Sequence, residues 1–177
     1  MNGYSSANSS IMINGYKKTV SSHLPKVIIA DINILSSAPR YLIQAGIADA
    51  FSRTTVYTDW ILADSIVSAF HKGYQERYTP FEDIYSDYIG TIERDLVRNI
   101  MVDDYYSKES IILLFDLLIK QGFLMCYAGS SMPASQGEHL IVHFIEMLFP
   151  RKVEHSCHGL PIAYSTLILK QIQEHIL

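Results

Sequence analysis

Cysteine, charge and long apolar runs are all scarce in this sequence. Its two cysteines, Cys126 and Cys157, stand far apart and form no CxxC pair, which excludes a disulfide scaffold and a zinc site built from thiolates. Charged residues make up 18% of the chain, and its 14 lysines and arginines are scattered along it. No basic stripe or polybasic segment therefore indicates a nucleic-acid or membrane-surface partner.

Targeting and membrane-spanning segments are also missing from the sequence pattern. The opening stretch MNGYSSANSSIMINGYKK lacks the basic start and continuous apolar core of a signal peptide. The longest apolar stretches, IILLFDLLI and FLMCYA, are interrupted by Asp116, Lys120 and Gln121, and each is too short and too polar to cross a bilayer. We therefore expect a soluble protein in the reducing cytoplasm, without membrane contact.

Apolar residues are abundant, at 49% of 177 residues, which is enough for one core and predicts a single main domain. Residues 1–25 are rich in Ser, Asn and Gly and predict a loop or hairpin leader, followed by a helical domain over 26–177. Within that domain, KVIIADINIL at 26–35 predicts a short strand. The strand would end at SSAP, where Pro39 would occupy the first turn of a helix behind a serine cap.

Most of the remaining chain shows the three- and four-residue apolar spacing of helices. The spacing predicts helices over PRYLIQAGIADAFSRTTVYTDWILADSIVSAFHKG, with Trp60 as a core anchor, and over GTIERDLVRNIMV. IILLFDLLIKQGFLMCYAG predicts a central helix, SSMPAS would cap the next helix, and a last helix would run from HGLPIAY to Leu177. The predicted fold class is all-α, a helical bundle with a short N-terminal strand or hairpin and no Rossmann-type domain.

Two histidines one turn apart, His139 and His143, interrupt the apolar helix GEHLIVHFIEMLF. They share one helix face, where buried imidazoles are unfavourable unless each finds a partner. Asp49 is isolated in the apolar stretch AGIADAF, and His158 stands at the entrance of the last helix. One carboxylate and two imidazoles from separate helices are the ligands of an open Zn²⁺ or Fe²⁺ site. Spacing alone also allows a second interpretation, and favours it. Both histidines would then be hydrogen-bonded within the core, and Asp49 would cap a helix.

A series of motifs occurs in a specific order along nearly the whole chain. They are NGYSSANSS, PKVIIADINILSSAPRYLIQAGIADAFSRTTVYTDWILA, SKES, GSSMPASQGEHLIVH and HGLPIAYSTL. In this order they resemble the sn-glycerol-1-phosphate dehydrogenases, within the group that holds iron-dependent alcohol dehydrogenases, glycerol dehydrogenase and dehydroquinate synthase. The resemblance implies that Asp49, His139 and His158 are the metal ligands of the family's helical domain. It also implies that His143 faces the substrate and handles a proton near the metal.

The resemblance also implies a reaction and its cofactors. It implies Zn²⁺ or Fe²⁺ that polarises the oxygen of a polyol phosphate or ketose phosphate, while NAD(P)H supplies hydride. Family members carry a dinucleotide-binding domain with a glycine-rich turn, and the present sequence contains no such turn. NAD(P) would therefore bind only if a partner chain supplies that domain, and we expect such a partner or a homo-oligomer.

Two other functions remain open at this point. The chain could be a stand-alone metal-dependent lyase, isomerase or hydrolase that does not use NAD(P), or a non-catalytic interaction module.

Two residues next to the histidines, Glu138 and Cys157, are expected to have structural roles and not to bind a metal. Glu138 is about 100° around the helix from His139, which favours a helix cap or a solvated surface position. Cys157 is expected to be a small buried or partly exposed thiol.

Overall fold

The order of the secondary-structure elements follows from a computed structural model that describes residues 5–6, 8–70, 84–102, 104–150 and 157–176. Within these residues the chain is mostly helical, with one two-stranded antiparallel sheet near its start, which confirms the predicted fold class. The elements are β1 (Asn8–Ile13), β2 (Tyr16–Ser21), α1 (Ile32–Ser36), α2 (Arg40–Phe51), α3 (Arg53–Phe70), α4 (Ile84–Met101), α5 (Lys108–Ala128), α6 (Gly137–Leu148) and α7 (Gly159–Ile176).

The two strands form a tight hairpin. Its register runs from Asn8 opposite Ser21 to Ile13 opposite Tyr16. The two residues between the strands, Asn14 and Gly15, have φ values of 51° and 81°, as a two-residue turn matched to the strand twist requires. The hairpin predicted within 1–25 is therefore confirmed, whereas the domain boundary at residue 25 stays a prediction.

The predicted strand at 26–35 is wrong. Residues 26–31 form no regular element, and Val27 and Ile29 are 73% and 89% exposed. The segment then turns into α1, because the side chain of Asp31 accepts a hydrogen bond of 2.8 Å from the backbone N–H of Asn33 and caps the helix. A β-branched run is stable as a strand only beside a partner strand, and the hairpin provides none for it.

Two of the predicted helix caps are also wrong. Pro39 is the cap residue of α2 itself instead of its first helical residue, and no serine side chain caps that helix. Helix α6 begins after Gln136, and no side chain of SSMPAS caps it. The backbone N–H of Gln136 instead donates to the carboxylate of Glu138, at 3.0 Å from Oε1. Glu138 thus satisfies the backbone N–H of the residue that precedes the helix, as the acidic residue of a capping box does.

Helix α5 is the central helix, as predicted, and it packs against α1, α2 and α4. Its buried residues meet the core cluster that contains Trp60 and Leu96, so the role of Trp60 as a core anchor is confirmed. The two apolar stretches judged too short to cross a bilayer join here in one helix of 21 residues. Within the described residues it is the one helix long and apolar enough to span a membrane, and its many buried residues are those of a core helix.

Glycines at the starts of α6 and α7 allow both helices to approach their neighbours closely. A Cβ atom added to Gly159 would lie 1.9 Å from the carbonyl oxygen of Ala45 in α2. A Cβ added to Gly137 would lie 2.5 Å from Oδ2 of Asp59 in α3. A side chain at residue 159 would meet backbone, and one at residue 137 would require neighbouring side chains to shift, so glycine lets α6 and α7 begin directly against α3 and α2.

The approach of α7 to α2 predicts opposite effects for two glycine substitutions. Gly159→Ala should lower the free energy of unfolding by about 1–3 kcal/mol, because the added methyl meets a backbone oxygen that cannot move freely. Gly46→Ala is the matched control, since its Cβ would lie at 3.4 Å from Leu114 and it adds helix propensity of up to about 1 kcal/mol. Urea unfolding measures both changes. Equal stability of the two variants would contradict the packing described here.

Candidate metal centre

Asp49 lies in the last turn of α2, on the face that packs toward the interior. Ala45, one turn earlier on the same face, is also buried, and Asp49 itself is 7% exposed. A carboxylate in such surroundings is unfavourable unless it has a cationic or metal partner. The isolation of this residue in AGIADAF therefore indicated its burial correctly.

The starts of two further helices bring histidines to Asp49. His139 lies in the first turn of α6 and is 8% exposed, and His158 directly precedes α7. The rings of His139 and His158 have their centroids 5.3 Å apart. Three elements that are distant in sequence thus place one carboxylate and two imidazoles at the same point in the fold.

The arrangement of these three side chains fits a bound metal ion. One ligand atom from each of Asp49, His139 and His158 can be chosen so that all lie within 4.8 Å of one another. Nε2 of His139 is 3.5 Å from Oδ1 of Asp49. Two imidazoles and one carboxylate are a ligand set of Zn²⁺ and Fe²⁺, and three protein ligands leave positions for a substrate or water. The ligand roles themselves stay a prediction.

The pKa values of the cluster show how strongly its groups interact. Burial disfavours the charged imidazole of His139, but hydrogen bonds and charges from Asp49 and Glu138 raise its pKa to about 9. Burial likewise disfavours the Asp49 carboxylate, and His139 outweighs it and holds the pKa of Asp49 well below its usual range. Burial lowers the pKa of His158, so this ring is disposed to be neutral, the form that binds metals.

His143 lies beside the proposed ligands without being one of them. Its ring centroid is 6.1 Å from that of His139 and 6.2 Å from that of His158. Burial, and then the charge of His139, lowers the pKa of His143 to about 4, which leaves the imidazole neutral near pH 7. The ring faces the same cavity as the three proposed ligands, where the sequence resemblance places a proton-handling residue.

Glu138 occupies a position that the sequence analysis did not anticipate. It is fully buried, and its Oε1 lies 2.7 Å from Nδ1 of His139. The expectation of a solvated surface position is therefore wrong, and the expectation of a cap is confirmed by the bond from Gln136. Helical spacing separates adjacent residues by about 100°, but the first turn of a helix lets a glutamate curl back toward its start. The glutamate directly before His139 was the available signal.

A cavity of about 290 Å³ opens beside the three proposed ligands. The N-terminal segment and the hairpin line it with polar side chains, namely Ser6, Asn8, Ser9, Ser10, Lys17 and Thr19. Lys17 also forms an ion pair of 2.9 Å with Glu146 of α6. Sequence reasoning missed both residues, although Glu146 follows His139 by seven positions and so shares its helix face.

The other sequence expectations for this region have mixed outcomes. Cys157 has a free, partly exposed thiol, as expected. Residues 2–4 and 7 of the motif NGYSSANSS lie outside the described residues. Ser6, Asn8 and the following serines of NGYSSANSS lie in the cavity wall, so this motif contributes to the site.

Because the folded-state pKa of His139 is raised, the metal-free protein should lose stability in mildly alkaline solution. The stabilising charge is fully present below the unfolded-state pKa of 6.5 and is lost as the pH rises through about 9. We therefore expect the free energy of unfolding of chelator-treated protein to fall between these pH values. Urea unfolding across this range, beside His139→Gln, measures the effect. If the free energy of unfolding of His139→Gln falls as much as that of the wild type over this pH range, a group other than His139 causes the pH dependence.

Comparisons with known proteins give one consistent result. No protein-family model matches the chain. It is 33% identical over 174 residues to glycerol-1-phosphate dehydrogenase [NAD(P)+] of Sulfurisphaera tokodaii, covering 96% of this chain and 45% of the relative. The same enzyme of Thermococcus kodakarensis is 32% identical over 171 residues, covering 94% of this chain and 44% of the relative. The enzyme of Picrophilus torridus is 36% identical over 145 residues, covering 82% of this chain and 38% of the relative.

The chain thus spans less than half the length of the curated relatives it matches. The matches nevertheless extend over nearly all of the chain itself, and they confirm the resemblance inferred from the motifs. This protein is a relative of the glycerol-1-phosphate dehydrogenases along nearly its entire sequence.

Proposed function

We propose that this chain is the metal-binding catalytic part of a dehydrogenase that acts on a polyol phosphate or ketose phosphate. The observation that carries the proposal is the meeting of Asp49, His139 and His158 in a chain related to glycerol-1-phosphate dehydrogenases. None of the three is adjacent to another in sequence, and the fold buries two of them at the same point. A buried group of ionisable side chains beside a cavity is typical of a functional site, which supports a bound metal ion.

Asp49, His139 and His158 would hold Zn²⁺, or Fe²⁺ as the alternative. When bound, the ion would act as a Lewis acid toward a hydroxyl or carbonyl oxygen of the substrate. Asp49 would contribute the negative charge of the ligand set, and the two imidazoles would bind in their neutral form. His143 would accept or return a proton at the same substrate oxygen, because its neutral ring lies beside those of both histidines and faces the cavity.

The cavity lining supports a small phosphorylated substrate. Serine and asparagine side chains offer hydrogen bonds to hydroxyl groups, and Lys17 offers a cation to a phosphate. Lys17 is held in place by Glu146, so its ammonium group is already oriented toward the cavity. A volume of about 290 Å³ suits a molecule of a few carbons with one phosphate.

The hydride donor would be bound outside these 177 residues. The names of the relatives specify NAD(P)+, and the 177 residues contain no turn of the GxGxxG type. We propose that a partner chain, or a further part of a longer protein, carries the nicotinamide site in the cytoplasm. Exposed apolar side chains on α7 support such contact, among them Tyr164, Leu167 and Ile176 at 73%, 65% and 67% exposure.

Metal binding should depend on His158 and not on histidine content in general. After chelation, reloading with Zn²⁺ and desalting, we expect about one Zn²⁺ per wild-type chain. His158→Ala should retain less than about a tenth of it, because loss of a ligand weakens a three-ligand site strongly. His175→Ala is the matched control and should retain as much as the wild type, since His175 is exposed near the end of α7. Mass spectrometry of the metal gives the content.

Full zinc content in His158→Ala would contradict the proposed ligand set. An activity assay of the same proteins tests the reaction class. Reduction of dihydroxyacetone phosphate that needs both NAD(P)H and a dinucleotide-binding partner supports the dehydrogenase. Chelator-sensitive turnover without any nicotinamide would instead identify a stand-alone metal enzyme.

Recognition of the phosphate should depend on one of two adjacent lysines. Lys17→Gln should weaken binding of dihydroxyacetone phosphate about tenfold, corresponding to the loss of one charge-assisted hydrogen bond. Lys18→Gln should leave the affinity unchanged, because Lys18 is exposed and does not line the cavity. Calorimetric titration of the zinc-loaded protein measures both. Equal affinities in the two variants would exclude Lys17 from phosphate binding.

A further inference from the structure

We propose that Glu138 is a positioning residue that holds His139 with Nε2 directed at the metal. The inference rests on the proposed metal site and adds to it a carboxylate that binds no metal itself. Glu138 would determine which nitrogen of His139 binds the metal. The metal affinity of the site would therefore depend on a residue outside the three ligands.

The contacts of Glu138 involve both oxygens of its buried carboxylate. Oε1 lies 2.7 Å from Nδ1 of His139 and also accepts the backbone N–H of Gln136 at 3.0 Å. Oε2 lies 3.4 Å from the hydroxyl of Thr55, which also donates to the carbonyl oxygen of Ser52 at 2.8 Å. An ionised carboxylate can only accept hydrogen bonds, so Nδ1 of His139 must carry the proton of their contact. Full burial strengthens this interaction by excluding water.

Fixing the proton on Nδ1 determines what the other ring nitrogen can do. When the ring is neutral, Nε2 of His139 is then its only nitrogen with a lone pair for a metal ion, and it lies on the side of the ring that faces Asp49, 3.5 Å away. A histidine ligand whose second nitrogen donates to a carboxylate is held in one tautomer and is a better electron donor. Glu138 thus prepares His139 for binding before the metal arrives.

Glu138 is in turn connected to a buried network that joins three helices. Nε2 of Gln173 in α7 donates to the carbonyl oxygen of Thr55 at 2.9 Å and to Oδ1 of Asp59 at 2.7 Å. Oδ2 of Asp59 accepts the backbone N–H of Gly137 at 3.0 Å. These bonds link the start of α6 to α3 and α7.

The second carboxylate of α6 does not have the same relation to its histidine. Oε1 of Glu146 is 3.8 Å from Nδ1 of His158, beyond hydrogen-bond distance, and its other oxygen pairs with Lys17. Among the residues that the structure describes, Glu138 thus lies within hydrogen-bond distance of its histidine and Glu146 does not.

The experiment compares Glu138→Gln with Asp59→Asn, two isosteric changes in the same buried network. Glutamine can accept the bonds from His139 and Gln136 with its carbonyl oxygen, and its amide would donate to the Thr55 hydroxyl, but it lacks the charge. We expect Glu138→Gln to weaken Zn²⁺ binding about tenfold or more, measured by competition with a chelating dye. Asp59→Asn should leave zinc affinity within about twofold of the wild type, even where both variants lower the thermal midpoint, because Asp59 does not contact a proposed ligand.

Two further measurements keep the inference testable if Glu138→Gln folds poorly. Glu138→Asp keeps the charge but withdraws the carboxylate, and it should also weaken zinc binding. Nitrogen-15 NMR of the zinc-loaded wild type should show a protonated Nδ1 and a coordinated Nε2 for His139.

Coordination through Nδ1, or unchanged zinc affinity in both Glu138 variants, would overturn the role of Glu138 while leaving the metal site intact. Absence of zinc binding in the wild type would overturn the proposed function itself and the positioning role with it.

Discussion

The buried imidazole of His139, shared between two carboxylates, is the interaction on which the rest of the site depends. Asp49 approaches it from α2 and Glu138 from its own helix, so an ionisable cluster is stabilised in a place where each group alone would be unfavourable. In the metal-free protein a proton on the imidazole balances the carboxylates. In the metal-bound protein that proton would leave Nε2, and the ion would take over the charge balance.

The packing of the helices brings the members of this cluster together. Gly137 and Gly159 let two helices start in direct contact with their neighbours, and each start carries a histidine. The central helix α5 supplies most of the apolar core and leaves the polar site to α2, α6 and α7 at one side of it. The chain spans less than half of its dehydrogenase relatives, yet the complete proposed ligand set lies within it.

Much of this could be predicted from the sequence because it depends on local periodicity. The apolar surroundings of Asp49 and the glycine after His158 indicated which residues turn inward, and the motif order indicated the family. The strand at 26–35 was wrong because strand formation depends on a partner that propensity does not report. The contact of Glu138 with His139 was missed because the start of a helix departs from regular helical spacing, and Lys17 was missed because its role arises from a contact across the fold. The ion pair of Lys17 links residues 17 and 146, a separation that no local pattern encodes.

X-ray absorption spectroscopy of the zinc-loaded protein tests the central claim most directly. The account predicts a zinc ion surrounded by nitrogen and oxygen atoms at about 2.0–2.2 Å, with the outer scattering of two imidazole rings. Neither free thiol should contribute, although Cys157 immediately precedes His158. A sulfur neighbour at about 2.3 Å, or a spectrum with only one imidazole, would contradict the ligand set of Asp49, His139 and His158.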